Sequence, residues 1–317
     1  MTTASLPDNA ITAHNVYKLY ESKTKRYALD DFSLTIPRGS LFGLLGPNGA
    51  GKSTFINILA GLVKKTAGNI HIWDINIDSD HREAKMRIGI VPQELNFDPF
   101  FTPRAMLDLQ AGLYGVPPQK RQTEALLHMV GLTHKSEAYS RSLSGGMRRR
   151  LMIAKAMVHA PPILVLDEPT AGVDIELRQN LWQQIHNLKK KGTTIILTTH
   201  YLKEAEELCD RIAIINQGKL IADKNKHELL QDIDHKELHI TCTKSITDIP
   251  PALKHFEAQI LDSHRIQIRY TPQRTPIGHI LEALQKTDLD IHDITTHQSD
   301  LEDVFLKLTH MNDDANV

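Results

Sequence analysis

The sequence predicts an α/β fold with a parallel sheet, one strand of which leads into a phosphate-binding loop. A small α+β domain is predicted to follow. Two observations indicate the first part. Residues 46–54 match the pattern G-x-x-x-x-G-K-[ST], and a later apolar strand ends in two carboxylates. Apolar and polar residues alternate again after residue 230, which indicates the second part. The chain has 317 residues, enough for one large domain and one small domain.

The strongest signal is the loop at residues 46–54, with the sequence GPNGAGKST. The apolar run 41–45 predicts a buried strand before this loop, and residues 55–60 predict a helix after it. The glycines let the backbone curl so that successive amides point inward, and the positive end of the helix dipole adds to their attraction for phosphate. We therefore expect the loop to bind a nucleoside triphosphate through Gly46, Pro47, Asn48, Gly49, Ala50, Gly51, Lys52, Ser53 and Thr54.

Two loop side chains and two carboxylates have separate expected roles. Lys52 can reach the β- and γ-phosphates, and the Ser53 hydroxyl can ligate Mg²⁺. The apolar strand 163–166 ends in Asp167 and Glu168. Asp167 suits the outer shell of Mg²⁺, whereas Glu168 can orient and polarise a water for attack on the γ-phosphate. The sequence therefore predicts a nucleoside triphosphatase.

A second anion-binding helix start is predicted at residues 143–148, with the sequence LSGGMR. Ser144, Gly145 and Gly146 expose the backbone just before a helix predicted over residues 149–159. Two phosphate-binding helix starts in one polypeptide are unusual. The arrangement makes sense if the second helix start contacts the nucleotide of another copy of the chain.

These motifs, in this order, resemble those of the ATP-binding subunits of ABC (ATP-binding cassette) transporters, a group of P-loop NTPases. The resemblance covers roughly residues 10–230. It implies that Gln93 ligates Mg²⁺ and responds to a membrane subunit, that Asp174 belongs to the D-loop, and that His200 is the switch histidine. It also makes ATP and Mg²⁺ the expected ligands. The implied catalytic residues are Lys52, Gln93, Glu168 and His200.

The aromatic residue that stacks on adenine is marked less clearly. Tyr20 lies where the family has this aromatic. However, the extra residues 21–25 follow it, and Tyr17 and Tyr27 remain alternatives.

The resemblance also implies the domain organisation. An ATP-binding cassette domain is expected over residues 1–232, with an antiparallel β layer formed by residues 10–40 and a helical subdomain at about 94–158. Thr102 and Pro103 predict a helix start within that subdomain. Parallel strands are predicted at 41–45, 88–91, 163–166, 194–197 and near 211–216.

Residues 233–317 predict the small α+β domain, which resembles the C-terminal extension of drug- and polyketide-export ATPases. Ser299 and Glu302 form a capping-box pattern for the last helix, and a disordered tail is expected after His310. This domain contains no catalytic pattern, so regulation or dimer support is its expected role. Half-buried strands are predicted around Leu238, Ile240, Cys242, Ile266, Ile268 and Tyr270, and helical stripes at Ile277, Ile280, Leu281, Leu284, Leu301, Val304, Phe305 and Leu308.

The charge balance and the lengths of the apolar runs indicate which partners the chain can be expected to have. The chain has 37 Lys and Arg against 38 Asp and Glu, and this balance gives no electrostatic reason to expect a nucleic-acid partner. No apolar run is long enough to cross a bilayer. The resemblance therefore implies a cytoplasmic protein, attached to the inner face of the cell membrane through a separate polytopic permease. It also implies a homodimer in the ATP-bound state.

Several alternatives stay open in the sequence. Residues 143–147 resemble the signature motif of the family, in which Met147 replaces the commonest glutamine. The basic run 148–150 is interpreted as a solvated helix face or a partner interface. Phe97, Phe100 and Phe101 are expected either to dock the membrane subunit or to belong to the core. The competing function is a soluble ABC ATPase that acts on the ribosome or on DNA. Such a protein would have a second cassette or a long heptad insertion, and the sequence has neither.

Overall fold

The computed structural model describes residues 6–20, 26–94, 98–170, 175–231, 236–271, 274–298 and 301–314. The chain forms two compact units, Met1–Lys226 and His227–Val317. Each unit has its own sheet structure and its own apolar core.

An antiparallel layer opens the first unit. Its strands are β1 (Asn9–Leu19), β2 (Tyr27–Pro37), β4 (Ala67–Ile72) and β5 (Ile75–Asn76), in the order β2-β1-β4-β5. Apolar residues of one face of this layer pack on the helix that follows the phosphate loop, α1 (Lys52–Leu59). The rings of Phe32 and Phe55 have their centroids 5.0 Å apart. The antiparallel layer and the phosphate loop are therefore held by one shared core.

The central sheet has six strands in the order β10-β9-β3-β8-β7-β6. Their bounds are β3 (Leu41–Leu45), β6 (Ile88–Val91), β7 (Ile163–Asp167), β8 (Thr194–Thr198), β9 (Arg211–Asn216) and β10 (Lys219–Asn225). Strand β10 pairs antiparallel with β9, and the pairings from β9 to β6 are parallel. The five parallel strands that the sequence predicts are all present. Their nearly continuous apolar sequences suit strands that are buried on both faces.

The strand order decides which loops meet. Strands β3, β8, β7 and β6 are consecutive neighbours and run in the same direction. The loops that follow their carboxyl ends therefore emerge at one edge of the sheet, where open α/β sheets bind their ligands. The phosphate loop follows β3, and His200 follows β8. Glu168 follows β7, and Gln93 follows β6.

The remaining helices of the first unit surround this sheet or lead away from it. They are α2 (His81–Met86), α6 (Ile175–Lys190) and α7 (Leu202–Leu208). Helix α8 (Lys226–Gln231) begins at the last residue of the first unit and otherwise belongs to the second. Helix α6 packs on β8, and α7 packs on β3.

A helical segment is inserted between β6 and β7. It contains α3 (Pro103–Leu113), α4 (Thr123–Met129) and α5 (Gly145–Ala156), with short 3₁₀ turns at Pro118–Lys120, Thr133–Lys135 and Ser140–Ser142. Its apolar cluster is separate from that of the central sheet. The Thr102 side chain caps α3 by accepting a hydrogen bond from the Ala105 amide at 3.2 Å, as the Thr-Pro pair predicts.

The predicted bounds of the signature helix were wrong. Helix α5 begins at Gly145 and ends at Ala156, whereas the sequence predicted residues 149–159. The physical reason for the early start is the cap at Ser144, whose Oγ accepts a hydrogen bond from the Met147 amide at 3.3 Å. Both glycines of the signature therefore lie in the first helical turn.

Among the described residues, the second unit contains the greater part of α8, a four-stranded antiparallel sheet and two further helices. The strands are β11 (Lys236–Cys242), β12 (Glu257–Asp262), β13 (Arg265–Tyr270) and β14 (Ile291–Gln298), in the order β12-β13-β11-β14. The helices are α9 (Ile277–Leu284) and α10 (Leu301–Asp314), and a 3₁₀ turn covers Pro251–Leu253. The residues that the sequence predicts for the inner faces of β11 and β13 are buried.

Two predictions for the second unit differ from the structure. Of the four-residue stripe on α9, Ile280 and Leu284 are buried, whereas Ile277 and Leu281 are 39% and 37% exposed. The core therefore covers half of the predicted stripe. Helix α10 continues past residue 310 to Asp314, where the sequence predicts disorder. The proposed cap Ser299 lies outside the described residues. Across the described residues, we find no helix whose length and apolarity would let it cross a membrane.

Candidate nucleotide-binding site

The phosphate loop joins β3 to α1 and has the backbone of a phosphate cradle. Gly49 and Gly51 have φ angles of +79° and +118°, a region that residues with a side chain rarely adopt. Gly46 is required for a different reason. A Cβ atom at this position would lie 2.2 Å from the carbonyl oxygen of Ile215. The glycines of the loop are therefore set both by backbone conformation and by close packing.

Lys52 is the first residue of α1, and its side chain lies along the loop. Its Nζ donates hydrogen bonds to the carbonyl oxygens of Gly46 at 2.6 Å and Pro47 at 3.0 Å. Burial lowers the pKa of Lys52, while the negative charges of Glu168 and Asp167 act in the opposite direction. The ammonium group is thus fixed beside the loop and close to two carboxylates.

Asp167 and Glu168 are held at the end of β7 by the neighbouring strand β8. The register pairs Asp167 with Thr198, whose hydroxyl donates a hydrogen bond to the Asp167 carboxylate. The Glu168 amide donates to the carbonyl oxygen of Thr198 at 3.0 Å. Burial is the main cause that raises the pKa of Asp167, and the charge of Glu168 raises it further. Glu168 has a φ of 48°, and strained backbone at a cleft residue is a common mark of function.

Three side chains meet at one oxygen atom of Glu168. Its Oε2 accepts a hydrogen bond from Gln93 Nε2 at 3.0 Å, and it lies 3.2 Å from Nδ1 of His200. The three residues follow β6, β7 and β8, which are adjacent in the sheet. The sequence could nominate each residue, but this contact depends on the strand order.

The loop and these side chains enclose one cavity of about 590 Å³, a size typical of small-molecule sites. Its lining consists of Asn48, Gly49, Ala50, Gly51, Lys52, Ser53, Thr54, Gln93, Asp167, Glu168 and His200. Backbone amides and one ammonium group suit the oxygens of a triphosphate. The Ser53 hydroxyl, the Gln93 amide and the Asp167 carboxylate supply hard oxygen atoms, which Mg²⁺ prefers. The residues present therefore fit a Mg²⁺–nucleotide complex.

Other candidate residues do not line this cavity. Ser144, Gly145 and Gly146 are absent from its lining and form the start of α5. Gly46 and Pro47 contribute carbonyl oxygens that hold Lys52. The D-loop residue Asp174 lies outside the described residues.

The three candidate tyrosines lie at the ends of β1 and β2 and are also absent from the lining. The hydroxyl of Tyr17 is hydrogen-bonded to Asp31, and its ring meets that of Tyr27 edge to face at 5.9 Å. Tyr20 and Tyr27 are each 41% exposed, and Lys18 Nζ lies 4.6 Å from the ring centroid of Tyr20. Tyr20 and Tyr27 therefore both present an aromatic surface that a base could cover.

Arg149 is a site neighbour that the sequence did not identify, and the solvated face assigned to the basic run 148–150 was wrong for it. Arg149 is 5% exposed, and its Nη1 donates to the carbonyl oxygens of Pro92 at 3.2 Å and Gln93 at 2.9 Å. A signal was present in the sequence. Apolar residues fill the consecutive positions 151–154, which is typical of a helix buried on all sides.

Comparison with known proteins identifies the family. A family model described as ABC transporter matches residues 29–171. The Nod factor export ATP-binding protein I of Ralstonia nicotianae is 37% identical over 300 residues, which cover 91% of this chain and 92% of that protein. This chain belongs to the ABC transporter ATPase family.

Other similar proteins agree with this assignment. The linearmycin resistance ATP-binding protein LnrL of Bacillus subtilis is 40% identical to this ABC ATPase over 221 residues, 69% of this chain and 70% of that protein. A solved dimeric ATP-binding cassette in a post-hydrolysis state, bound to ADP and Pi, matches with a TM-score of 0.61 at 27% identity. The match covers 68% of this ABC ATPase and 98% of the solved chain. The comparisons confirm the predicted family, its cassette fold and its ATPase class.

Proposed function

We propose that this chain is the ATP-hydrolysing subunit of an ABC exporter and that it drives a separate membrane permease. The observation that supports this most directly is the meeting of Gln93, Glu168 and His200 beside the phosphate loop, in the cavity described above. A phosphate cradle alone would serve any nucleotide-binding protein. A carboxylate that faces the cradle and contacts an amide and an imidazole adds the groups needed for hydrolysis.

Nucleotide binding is assigned to the phosphate loop. Its amides would hold the β- and γ-phosphates, and the ammonium group of Lys52 would neutralise part of their charge. Ser53 and Gln93 would hold Mg²⁺ directly, with Asp167 in the outer shell. A bound Mg²⁺ would supply charge neutralisation of the phosphates during the reaction.

Hydrolysis is assigned to the group around Glu168. Its carboxylate would orient a water molecule in line with the γ-phosphate and take up a proton from it. His200 lies 3.2 Å from this carboxylate and is placed to stabilise the charge that spreads over the phosphoryl oxygens. Gln93 donates to the same carboxylate oxygen and so limits its orientation.

Export and membrane attachment are inferred from the relatives. Their names specify export of Nod factor and resistance to linearmycin. We propose that this chain works in the same kind of system, on the cytoplasmic face of the membrane and bound to a polytopic permease. The test is co-purification of the tagged chain from its native membranes. A polytopic partner supports the proposal, whereas ribosomes or DNA in its place would support a soluble ABC ATPase.

A dimer with two composite sites is the proposed active form. The start of α5, with Ser144 and Gly146, would complete the site of a second copy by contacting its γ-phosphate. The dimeric cassette bound to ADP and Pi is a similar protein in which two copies are assembled. Hydrolysis would remove the γ-phosphate contact and allow the dimer to open.

The dimer proposal predicts that the Glu168→Gln protein doubles in mass when ATP is added and stays monomeric with ADP. Because hydrolysis is blocked, ATP would remain between the two copies long enough for light scattering to detect the dimer. Adding Ser144→Arg should abolish the ATP-dependent dimer. The matched control is Ser142→Arg, which changes an exposed serine two residues earlier. A mass that is the same in both nucleotide states would contradict the proposal.

The coupling surface is assigned to the helical segment after Gln93. Phe100 is 66% exposed, and the guanidinium of Arg141 lies 5.6 Å from its ring centroid and 5.4 Å from that of Tyr139. Phe101, by contrast, packs on the apolar cluster of the helical segment. We therefore propose that Phe100 docks the membrane subunit, whereas Phe101 belongs to the core. Phe97 lies outside the described residues.

We predict that Phe100→Ser leaves the melting temperature and the basal ATPase rate of the isolated chain unchanged but weakens binding to the permease by at least about tenfold. Exposed aromatic anchors often dominate such interfaces. Phe101→Ser is the matched control and should lower the melting temperature, because it removes a ring that packs on a core. Thermal melts and co-purification of both variants distinguish the two roles. A lowered melting temperature for Phe100→Ser would contradict its docking role.

A further inference from the structure

Arg149 has contacts that connect two motifs within the same chain. It lies in the second turn of α5, and its guanidinium donates to the backbone carbonyls of both Pro92 and Gln93. Both acceptors are in the segment that leaves β6, whereas α5 begins at Gly145, directly after its cap Ser144. A single side chain thus joins the signature helix to the backbone of the Gln93 segment.

The position of this side chain is unusual for an arginine. It is 5% exposed, and its Nε has no hydrogen-bond partner in the part of the chain that the structure describes. Burial lowers the pKa of Arg149, and the carboxylates of Asp167 and Glu168 oppose that effect. Burying a guanidinium in this way is unfavourable unless its remaining contacts compensate. Here those contacts are two backbone carbonyls of one segment and the charges of two carboxylates.

Arg149 is connected to the proposed catalytic carboxylate of Glu168 through Gln93. Its Nη1 fixes the backbone carbonyl of Gln93, and the side chain of Gln93 donates to Glu168 Oε2. A shift of the Gln93 backbone would therefore move the amide that contacts the proposed catalytic carboxylate. Displacements of about 1 Å in such groups can reduce the rate by about a hundredfold.

We propose that Arg149 is a positioning residue through which the signature helix sets Gln93, and thereby Glu168, in its own chain. This inference rests on the proposed composite dimer, in which the start of α5 contacts the nucleotide of the other copy. Ser144 and Arg149 are five residues apart on one helix, about 7.5 Å along its axis, so a movement at the start reaches Arg149 within the same rigid element. Nucleotide held at one site would thus align the catalytic group of the other site.

The test compares three variants of the full chain. Arg149→Met removes the two hydrogen bonds to the Gln93 segment and keeps an apolar stem of similar length. Arg149→Lys keeps the charge and can donate to these carbonyls from a slightly shorter side chain. The matched control is Arg150→Met, because Arg150 Nη1 donates to the carbonyl of Val130 at 2.8 Å and burial lowers its pKa as well. Its acceptor lies in the helical segment, away from Gln93.

Three readouts are needed, and the first is a thermal melt of each variant. Hydrogen exchange of the segment 88–94 reports its local stability without hydrolysis, and steady-state kinetics report kcat, KM and the Hill coefficient for ATP. We expect Arg149→Met to exchange several-fold faster in this segment, with kcat reduced at least about tenfold and KM changed less than about threefold. Its Hill coefficient should fall towards 1, because the two sites no longer influence each other. Arg149→Lys should recover part of kcat, and Arg150→Met should keep the wild-type exchange, kcat and Hill coefficient.

The outcomes separate this inference from the function on which it rests. A wild-type chain that neither binds nor hydrolyses ATP in these assays would refute the proposed function itself. If the wild type is active but Arg149→Met and Arg150→Met behave alike in exchange and in kinetics, Arg149 has no positioning role. If Arg149→Met lowers the melting temperature alone, with the Hill coefficient unchanged, its contribution is to stability and the inference is refuted.

Discussion

Glu168→Gln is expected to lower the ATPase rate by about 10²–10⁴-fold while ATP still binds with nearly the wild-type affinity. The amide has the size of the carboxylate and can keep a contact with Gln93 and His200. It is a far weaker base, so it would no longer orient and deprotonate the attacking water. Because the side-chain contacts are retained, the expected loss of ATPase rate is specific to the chemical step.

Phosphate release and nucleotide titration on the same preparation measure this effect. Glu207→Gln is the control for loss of one carboxylate, since Glu207 is an exposed residue of α7. It should hydrolyse ATP at the wild-type rate. A Glu168→Gln protein whose ATPase rate stays within about threefold of wild type would show that another group activates the water.

Lys52→Ala should produce a different defect, a loss of nucleotide affinity. A charge-assisted hydrogen bond contributes about 1.5–3 kcal/mol, so removing the ammonium from two phosphate oxygens should raise Kd by at least about a hundredfold. Part of the change would come from the loop itself. The carbonyls of Gly46 and Pro47, which now accept from Lys52 Nζ, would lose this shared donor.

Titration with ATP and with ADP measures the affinity of this variant, and a thermal melt without nucleotide separates loop damage from lost binding. Lys64→Ala is the matched control, because Lys64 is an exposed lysine shortly after α1. It should bind both nucleotides normally. Retained affinity in Lys52→Ala, within about threefold, would mean that the loop amides alone carry phosphate binding.

Much of the architecture and of the candidate site could be predicted from the sequence, because the informative signals are local. A glycine-rich loop between an apolar strand and a helix has few alternative structures, and strands buried on both faces appear as apolar runs. The lining residues Ser53 and His200 could be named for the same reason, whereas Gln93 was named from the resemblance to the family. Each lies within or just after such a segment.

The start of α5 and the burial of Arg149 were missed for different reasons. The start of α5 is fixed by the Ser144 cap, a local contact over three residues that the capping preference of serine could have indicated. The burial of Arg149 depends on tertiary packing, because its acceptors are carbonyls of a segment more than 50 residues earlier in the chain. The contrast between Phe100 and Phe101 is of the same kind. They are the same residue type at adjacent positions. They differ in burial because only the ring of Phe101 packs on the helical cluster.

The strand order of the central sheet also governs when the site is completed during synthesis. Strand β8 lies between β3 and β7 in the sheet but follows both of them in the chain. A nascent chain that ends before residue 194 has the phosphate loop and Glu168 without the strand that joins them. Long-range pairing of this kind forms late and leaves apolar edges exposed meanwhile, so we expect a nascent chain of this length to be prone to aggregation.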